Sequence, residues 1–238
     1  GLYFLETGAG QRPSSVLYDR AGSTFALQSA QNWDWDAALT GAGWLHLSGV
    51  TPALGADSTL AAELALAAAE RLGVRVSFDG NYRAALWQLW DGQPATRLAR
   101  LVAGSELLFA SDRDIDLLLG PAAPAADSRQ AIIQAAERAF AAFPRVRRMA
   151  CTIREQRSVD HHRLSALMIG VDGTVAETAE VDLMPIVDRI GTGDALAADV
   201  LHGLLTGAGD QRALELGLAA ACLKHSVPGA FSWARAAD

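Results

Sequence analysis

From Trp44 onward, short apolar runs alternate with helix-length segments, and this alternation limits the fold more than any other feature of the chain. Trp44–Ser48 (WLHLS), Val74–Asp79 (VRVSFD), Glu106–Ala110 (ELLFA) and Arg147–Ile153 (RRMACTI) read as strands. Between them, Asp57 or Ser58 caps a helix that runs to Leu72 and stops at Gly73. Pro94 opens a helix to near Ala103, Asp112–Leu119 is a short helix, and Asp127 or Ser128 caps another that ends near Phe143 and Pro144. Strands joined through helices close by right-handed crossovers, which predicts an α/β fold with a mostly parallel open sheet flanked by helices. Arg163–Ile169 and Thr174–Glu180 are expected to form a hairpin turned at Asp172 and Gly173. Two helices close the chain, one from near Gly193 to Gly207 and one from near Asp210 to His225. Leu2–Glu6 and Val16–Asp19, separated by a Gly/Pro-rich segment, predict a strand pair in residues 1–30, appended to a domain over residues 31–238.

Composition narrows the function classes. Half of the 238 residues are hydrophobic and 20% are charged, as in a packed globular protein. No apolar run reaches the ~18–20 residues of a membrane span, so no membrane partner is expected. A net charge of -7 argues against a nucleic-acid partner held by bulk charge. Cys151 and Cys222 form no C-x-x-C pattern, which excludes a cysteine zinc site and a disulfide framework and suits a reducing cytoplasm. Lys224 is the only lysine, and no Walker glycine pattern precedes it. The start at Gly1 has no basic region and no cleavage site, so it is no signal peptide and reads as the inside of a strand.

In an open parallel sheet, ligands bind beyond the carboxyl ends of the strands. Those ends supply Ser48 and Gly49; Asp79, Asn81, Tyr82 and Arg83; Ser111 and Asp114; and Thr152 and Arg154. Loop residues are commonly polar, so no single one of these decides anything. The strongest local signal is Asp188-Arg189-Ile190-Gly191-Thr192-Gly193-Asp194. A Gly-x-Gly turn that opens a helix presents free N–H groups and the positive end of the helix dipole to an anion. A carboxylate at that place repels the anion, yet it serves a reaction in which a hydroxyl must lose a proton as it attacks phosphorus. The competing reading is that Asp194 only caps the helix.

Taken whole, the string DRIGTGDA (residues 188–195) resembles the C-terminal signature of the ribokinase-like (PfkB-type) carbohydrate kinases. FDGNYRAALW (residues 78–87) resembles the D-x-N-Y-R-x-x-L-W segment of the 2-keto-3-deoxygluconate kinases within that family. GLYFLE (residues 1–6), QRPS (11–14) and YDR (18–20) are similar to their lid strands, and HLSGVTPAL (46–54) and LKHSVPG (223–229) also fit. The similarity is collinear over essentially the whole chain.

The resemblance implies an enzyme that transfers the γ-phosphoryl group of Mg-ATP to a sugar hydroxyl, most closely that of 2-keto-3-deoxygluconate, giving the 6-phosphate. It implies Asp194 as the base and the amides of Gly191, Thr192 and Gly193 as an anion hole. Arg83 would hold the substrate carboxylate, with Tyr3, Arg20 and Asn81 lining the sugar pocket. Ser111, Thr152, Arg154, Lys224 and His225 would border the nucleotide. Asp114 would meet magnesium and Asp188 a monovalent cation. A cytoplasmic homo-oligomer is expected. The chain differs from the family pattern at several points: Ser111 and Asp114 stand where Asn-x-x-Glu is usual, Leu196 and Asp199 where Phe and Gly are usual, and Ala230 where Asp is common. The family's first strands, its Gly-Gly sugar segment and half of its lid lie outside this sequence, so the chain alone is expected not to be a competent kinase.

Two other readings stay open: a kinase for a neutral sugar such as fructose or ribose, and a non-catalytic fragment that binds nucleotide or a partner. A buried Arg83 would argue against a neutral sugar, which gives it nothing to pair with. A nicotinamide dehydrogenase lacks its G-x-G-x-x-G. The pair His161 and His162 reads as solvated loop rather than metal ligands, and Trp33 and Trp35 as packing and turn anchors rather than a sugar platform.

Overall fold

The computed structural model describes every residue except Ala21, Asp91, Ala234 and residues 236–238. The chain divides into two compact units. One comprises Gly1–Tyr3, Tyr18–Met149 and Gly170–Asp172; the other comprises Phe4–Leu17, Ala150–Ile169 and Gly173–Asp238. Strands β1 (Leu2–Glu6) and β2 (Ser15–Asp19) form a small two-stranded sheet of their own.

The first unit begins with two short helices the sequence pattern did not reveal, α1 (Thr24–Leu27) and α2 (Trp35–Leu39). Each is one turn long, too short for a hydrophobic period, and each is started by a side-chain cap, from Ser23 and Asp34. Strands β3 (Trp44–Ser48) and β4 (Arg75–Asp79) run parallel in the register Trp44 to Arg75 through Ser48 to Asp79. Helix α3 (Ala56–Leu72) crosses between them and buries Ala61, Ala65, Ala68 and Ala69 along one stripe. It ends at Gly73, whose φ of 68° is the left-handed conformation expected there.

The start of α3 corrects the sequence reading. Gly55, not Asp57 or Ser58, is the N-cap, because the turn at Pro52–Leu54 already folds the chain into the helix. The Thr59 hydroxyl donates to the Pro52 and Gly55 carbonyl oxygens, and the Asp57 carboxylate accepts from the Ala30 amide instead.

After β4 come α4 (Ala84–Trp87) and α5 (Pro94–Ala103), the latter opened by its proline as expected. Strand β5 (Leu107–Phe109) lies parallel to β4. Helix α6 (Asp112–Leu119) follows, then α7 (Ser128–Ala142), which Asp127 caps by accepting from the Gln130 amide. Val76, Phe78, Leu101, Leu107, Leu108 and Ile115 form the buried centre of this unit.

Strand β6 (Arg148–Gln156) starts in the first unit and continues into the second, three residues beyond the expected end at Ile153. In the second unit it neighbours β7 (His162–Gly170), which turns into the short β8 (Val175–Glu177). The expected arm to Glu180 is interrupted at Thr178, whose amide donates to the Ala166 carbonyl while its hydroxyl accepts from the Ala166 amide. The chain then returns as β9 (Val181–Leu183), antiparallel to the start of β7, a strand too short to register as a pattern. Helices α8 (Thr192–Leu205) and α9 (Gly209–Lys224) pack closely: an added Cβ on Gly203 would lie 2.6 Å from the Ala213 Cα. Leu164, Leu167, Met168, Val200 and Leu214 are buried here.

Candidate active site

In the first unit, the polar residues sit where parallel strands end. Ser48 closes β3, and its hydroxyl accepts from the Asn81 side-chain amide at 3.1 Å. Asn81 has a φ of 37°, the left-handed region that asparagine tolerates better than most side chains, and this turns the chain sharply after β4. Glycines let the loops close on one another: an added Cβ on Gly49 would strike the Gly80 carbonyl oxygen, and one on Gly80 would lie 2.8–2.9 Å from the Asp114 carboxyl group. Ser111 and Asp114 form a reciprocal capping box at the start of α6. Asp114 Oδ2 accepts from the Ser111 amide at 2.8 Å and hydroxyl at 2.7 Å, while the Asp114 amide donates to the Ser111 hydroxyl.

That box bears on magnesium. Asp114 Oδ2 is engaged, leaving one carboxylate oxygen, and no group of three or more His, Cys, Asp or Glu residues suited to a metal occurs among the described residues. The donor set therefore fits an ion carried on nucleotide phosphates rather than one caged by protein. Arg83, at the N-cap of α4, is exposed and donates to the Tyr82 carbonyl oxygen at 3.1 Å. The buried Arg83 that would have argued against a neutral sugar is thus not what forms. Tyr3 and Arg20 are half-buried, and the Arg20 guanidinium lies 4.3 Å over the Tyr18 ring.

The second unit carries the Gly-x-Gly turn. Gly191 is the N-cap of α8, with a φ of 77°, and an added Cβ there would strike the Ala230 carbonyl oxygen. The capping explanation of Asp194 therefore fails: Asp194 lies in the first helical turn, exposed, and no hydrogen bond or ion pair engages its carboxylate among the described residues. The amides of Gly191, Gly193 and Asp194 are likewise without a partner among the described residues, whereas the Thr192 amide reaches the Arg189 carbonyl at 3.5 Å. At Gly193 an added Cβ would meet nothing within 4 Å.

The turn is anchored from behind by the end of α9. The Val187 and Asp188 amides donate to the His225 carbonyl oxygen. Asp188 is buried; its Oδ1 accepts from the Ile190 amide at 2.9 Å and its Oδ2 from the Gly229 amide at 2.8 Å. Lys224 is fully buried and donates from Nζ to the Val227 carbonyl oxygen at 2.6 Å. His225 is buried too, with Nδ1 at 2.7 Å from the Ala221 carbonyl oxygen. Thr152 is exposed on β6. Arg154 lies near Arg189, and burial together with that like charge pulls its pKa down.

His162 overturns the expectation of a solvated loop. It opens β7, is 0% exposed, and neither ring nitrogen makes a hydrogen bond of good geometry among the described residues. Burial, then the charges of Arg154 and Arg189, lower its pKa to about 4, so the ring is neutral at pH 7. Its ring centroid stands 6.3 Å from that of His225. The adjacent His161 is half-buried, with Nε2 2.5 Å from the Asp182 carboxylate on β9. Trp33 and Trp35 stack on each other with centroids 5.8 Å apart.

No family model matches the chain. Solved structures and curated proteins do. The chain is 36% identical to a 2-dehydro-3-deoxygluconokinase from Thermotoga maritima, with a TM-score of 0.88 over 96% of this chain and 68% of that one. It is 33% identical to a PfkB family carbohydrate kinase from Listeria grayi, with a TM-score of 0.83 over 97% of this chain and 69% of that one. The chain belongs to the PfkB family of carbohydrate kinases. A curated relative, the 2-dehydro-3-deoxygalactonokinase of Haloferax volcanii, is 30% identical over 231 residues, which are 96% of this chain. This PfkB chain spans 65% of that relative's length. The α/β fold expected from the strand–helix alternation is the fold these relatives share. No helix among the described residues is long and apolar enough to cross a membrane.

Proposed function

We propose that this PfkB chain carries the phosphoryl-transfer site of a sugar-acid kinase acting on 2-keto-3-deoxygluconate or a close relative, with Mg-ATP as the donor. The observation that carries the reading is the pairing of a carboxylate, Asp194, with the amides of Gly191, Gly193 and Asp194 in the same turn, none of which has a partner among the described residues. Amides aimed outward at a helix start stabilise the charge of a transferring phosphoryl group. A carboxylate beside them is costly for static anion binding and useful for proton removal.

The step balances as an in-line transfer. The sugar hydroxyl oxygen forms a bond to the γ-phosphorus as the bond between that phosphorus and the β-bridging oxygen breaks. The hydroxyl proton passes to Asp194, and ADP leaves with the bond electrons. Arg83 meets the substrate carboxylate, with Tyr3, Arg20 and Asn81 along the sugar; a planar guanidinium binds a carboxylate through two parallel hydrogen bonds. Ser111, Thr152 and Arg154 border the nucleotide. Asp114 would offer its remaining oxygen to a magnesium ion, whose charge would offset that of the phosphates.

A second reading has one observation in its favour. Arg83 is exposed, so a neutral sugar leaves no buried charge unpaired, and a fructose- or ribose-type substrate is compatible with it. Turnover of a panel of sugar acids and neutral sugars by the protein made from its complete reading frame separates the two.

The test of the mechanism is Asp194→Asn, which keeps size and removes the proton acceptor. The expected result is a kcat lower by roughly 10²–10⁴-fold with ATP affinity held or improved and the melting temperature unchanged. Retention of more than about a tenth of the wild-type kcat would remove Asp194 from the chemistry.

A further inference from the structure

Nineteen of the twenty Lys and Arg residues are arginine; the exception, Lys224, is completely buried. An ammonium inside a fold is unfavourable unless oxygen atoms of the protein meet it. Here Nζ donates to the Val227 carbonyl oxygen at 2.6 Å. Two residues further on, the Gly229 amide donates to Asp188 Oδ2 at 2.8 Å. The segment after α9 is thus held at one point by a buried cation and at another by a buried anion. That anion opens the loop leading to the Gly191–Asp194 turn. Burial lowers the pKa of Lys224, and the charge of Asp188 works against that. The opposite charges therefore sense each other while each bonds the backbone of the same short segment.

We propose that Lys224 is a positioning residue for the anion turn: its ammonium is a resident cation that balances Asp188, and the site takes no exchangeable monovalent cation. The donors present do not fit such an ion. Both Asp188 oxygens already accept from amides, Ile190 and Gly229. A second positive charge in that neighbourhood would be repelled by the ammonium. The inference rests on the reading that the turn receives the transferring phosphoryl group.

The experiment uses the protein from its complete reading frame, with potassium chloride replacing choline chloride at constant ionic strength up to about 100 mM, because an ion that binds the folded state raises its melting temperature. The expected result is an unchanged melting temperature and a kcat constant within about two-fold. A rise in melting temperature with potassium, or a several-fold activation by it, overturns the proposal. Lys224→Met, which keeps the stem and removes the charge, is expected to lose about ten-fold or more of kcat, as positioning losses do, and to regain part of it with ammonium or potassium ions. A Lys224→Met protein with wild-type kcat and no cation response also overturns it. Should that variant fail to fold, the wild-type potassium titration decides alone. Should the wild type phosphorylate no sugar or sugar acid, the kinase reading fails, and the melting-temperature titration still decides whether the site takes a monovalent cation.

Discussion

At Gly191 an added Cβ would collide with the Ala230 carbonyl oxygen, while at Gly193 it would enter open space. The first glycine is thus required by the fold, and the second is required by nothing within the described residues. Gly191→Ala is expected to cost about 2–5 kcal/mol of stability, from the left-handed φ and the forced shift together. Gly193→Ala should leave the melting temperature equal or slightly raised, since alanine favours a helix by up to about 1 kcal/mol. Its methyl group would enter the open space beside the turn, so, if the transferring phosphoryl group sits there, kcat/KM is expected to fall by about 10²-fold. Equal activity of Gly193→Ala and wild type would show that no ligand approaches there. Arg83→Lys replaces a two-bond fork by a point charge. It is expected to raise KM for a sugar acid by a free energy of about 1–3 kcal/mol, with KM for ATP unchanged. Equal KM values for sugar acids before and after the change would favour the neutral-sugar reading.

At the scale of elements, the sequence was most legible where caps and breakers are explicit. Pro94 opens α5, Asp127 caps α7, and Gly73 ends α3, each as its residue type dictates. It was least legible where tertiary contacts override local chemistry. Asp57 looked like a cap but is drawn to the Ala30 amide, and β9 exists only because the start of β7 offers it a ladder. His162 departs from the solvated-loop expectation because it opens a strand that buries its side chain, and two adjacent histidines in sequence do not show which of them a strand points inward. Of the candidate site, the strand-end loops and the Gly-x-Gly turn were readable; the internal engagement of Asp114, Asp188 and Lys224 was not, because hydrogen-bond partners distant in sequence leave no spacing signal. Helices α8 and α9 pack tightly, so that an added Cβ on Gly217 would lie 2.5 Å from Val200 Cγ2 and 2.8 Å from the Leu196 carbonyl oxygen. Gly217→Ala is expected to lose about 1–3 kcal/mol in urea unfolding, because a backbone oxygen cannot move aside as a flexible side chain can. An unchanged midpoint would mean that the two helices separate without strain.

For the whole molecule, the buried histidines set an acid limit. The pKa of His162 falls from 6.5 to about 4 on folding, chiefly through burial, and that of His225 moves the same way. Between those values the unfolded chain binds more protons at these histidines than the folded one, so their contribution to stability declines as pH drops from about 6.5 towards 4. His162 alone contributes at most about 3 kcal/mol to this decline. Urea midpoints measured at pH 7 and pH 5 check it: the wild type should weaken over this interval, and His162→Leu should weaken less. Parallel slopes for the two proteins would assign the acid sensitivity elsewhere. The attachment of the Gly191 turn to the chain end has a consequence for recombining homologues. Asp188 meets the amide of Gly229, and Gly191 meets the carbonyl of Ala230, so both contacts read backbone and ignore the side chain at position 230. A chimera that exchanges Ala230 for aspartate is therefore expected to keep the loop undisturbed. A crossover placed between residues 191 and 224 joins one parent's turn to another's tail, and such hybrids should survive only when both parents encode the same aspartate, lysine and glycine.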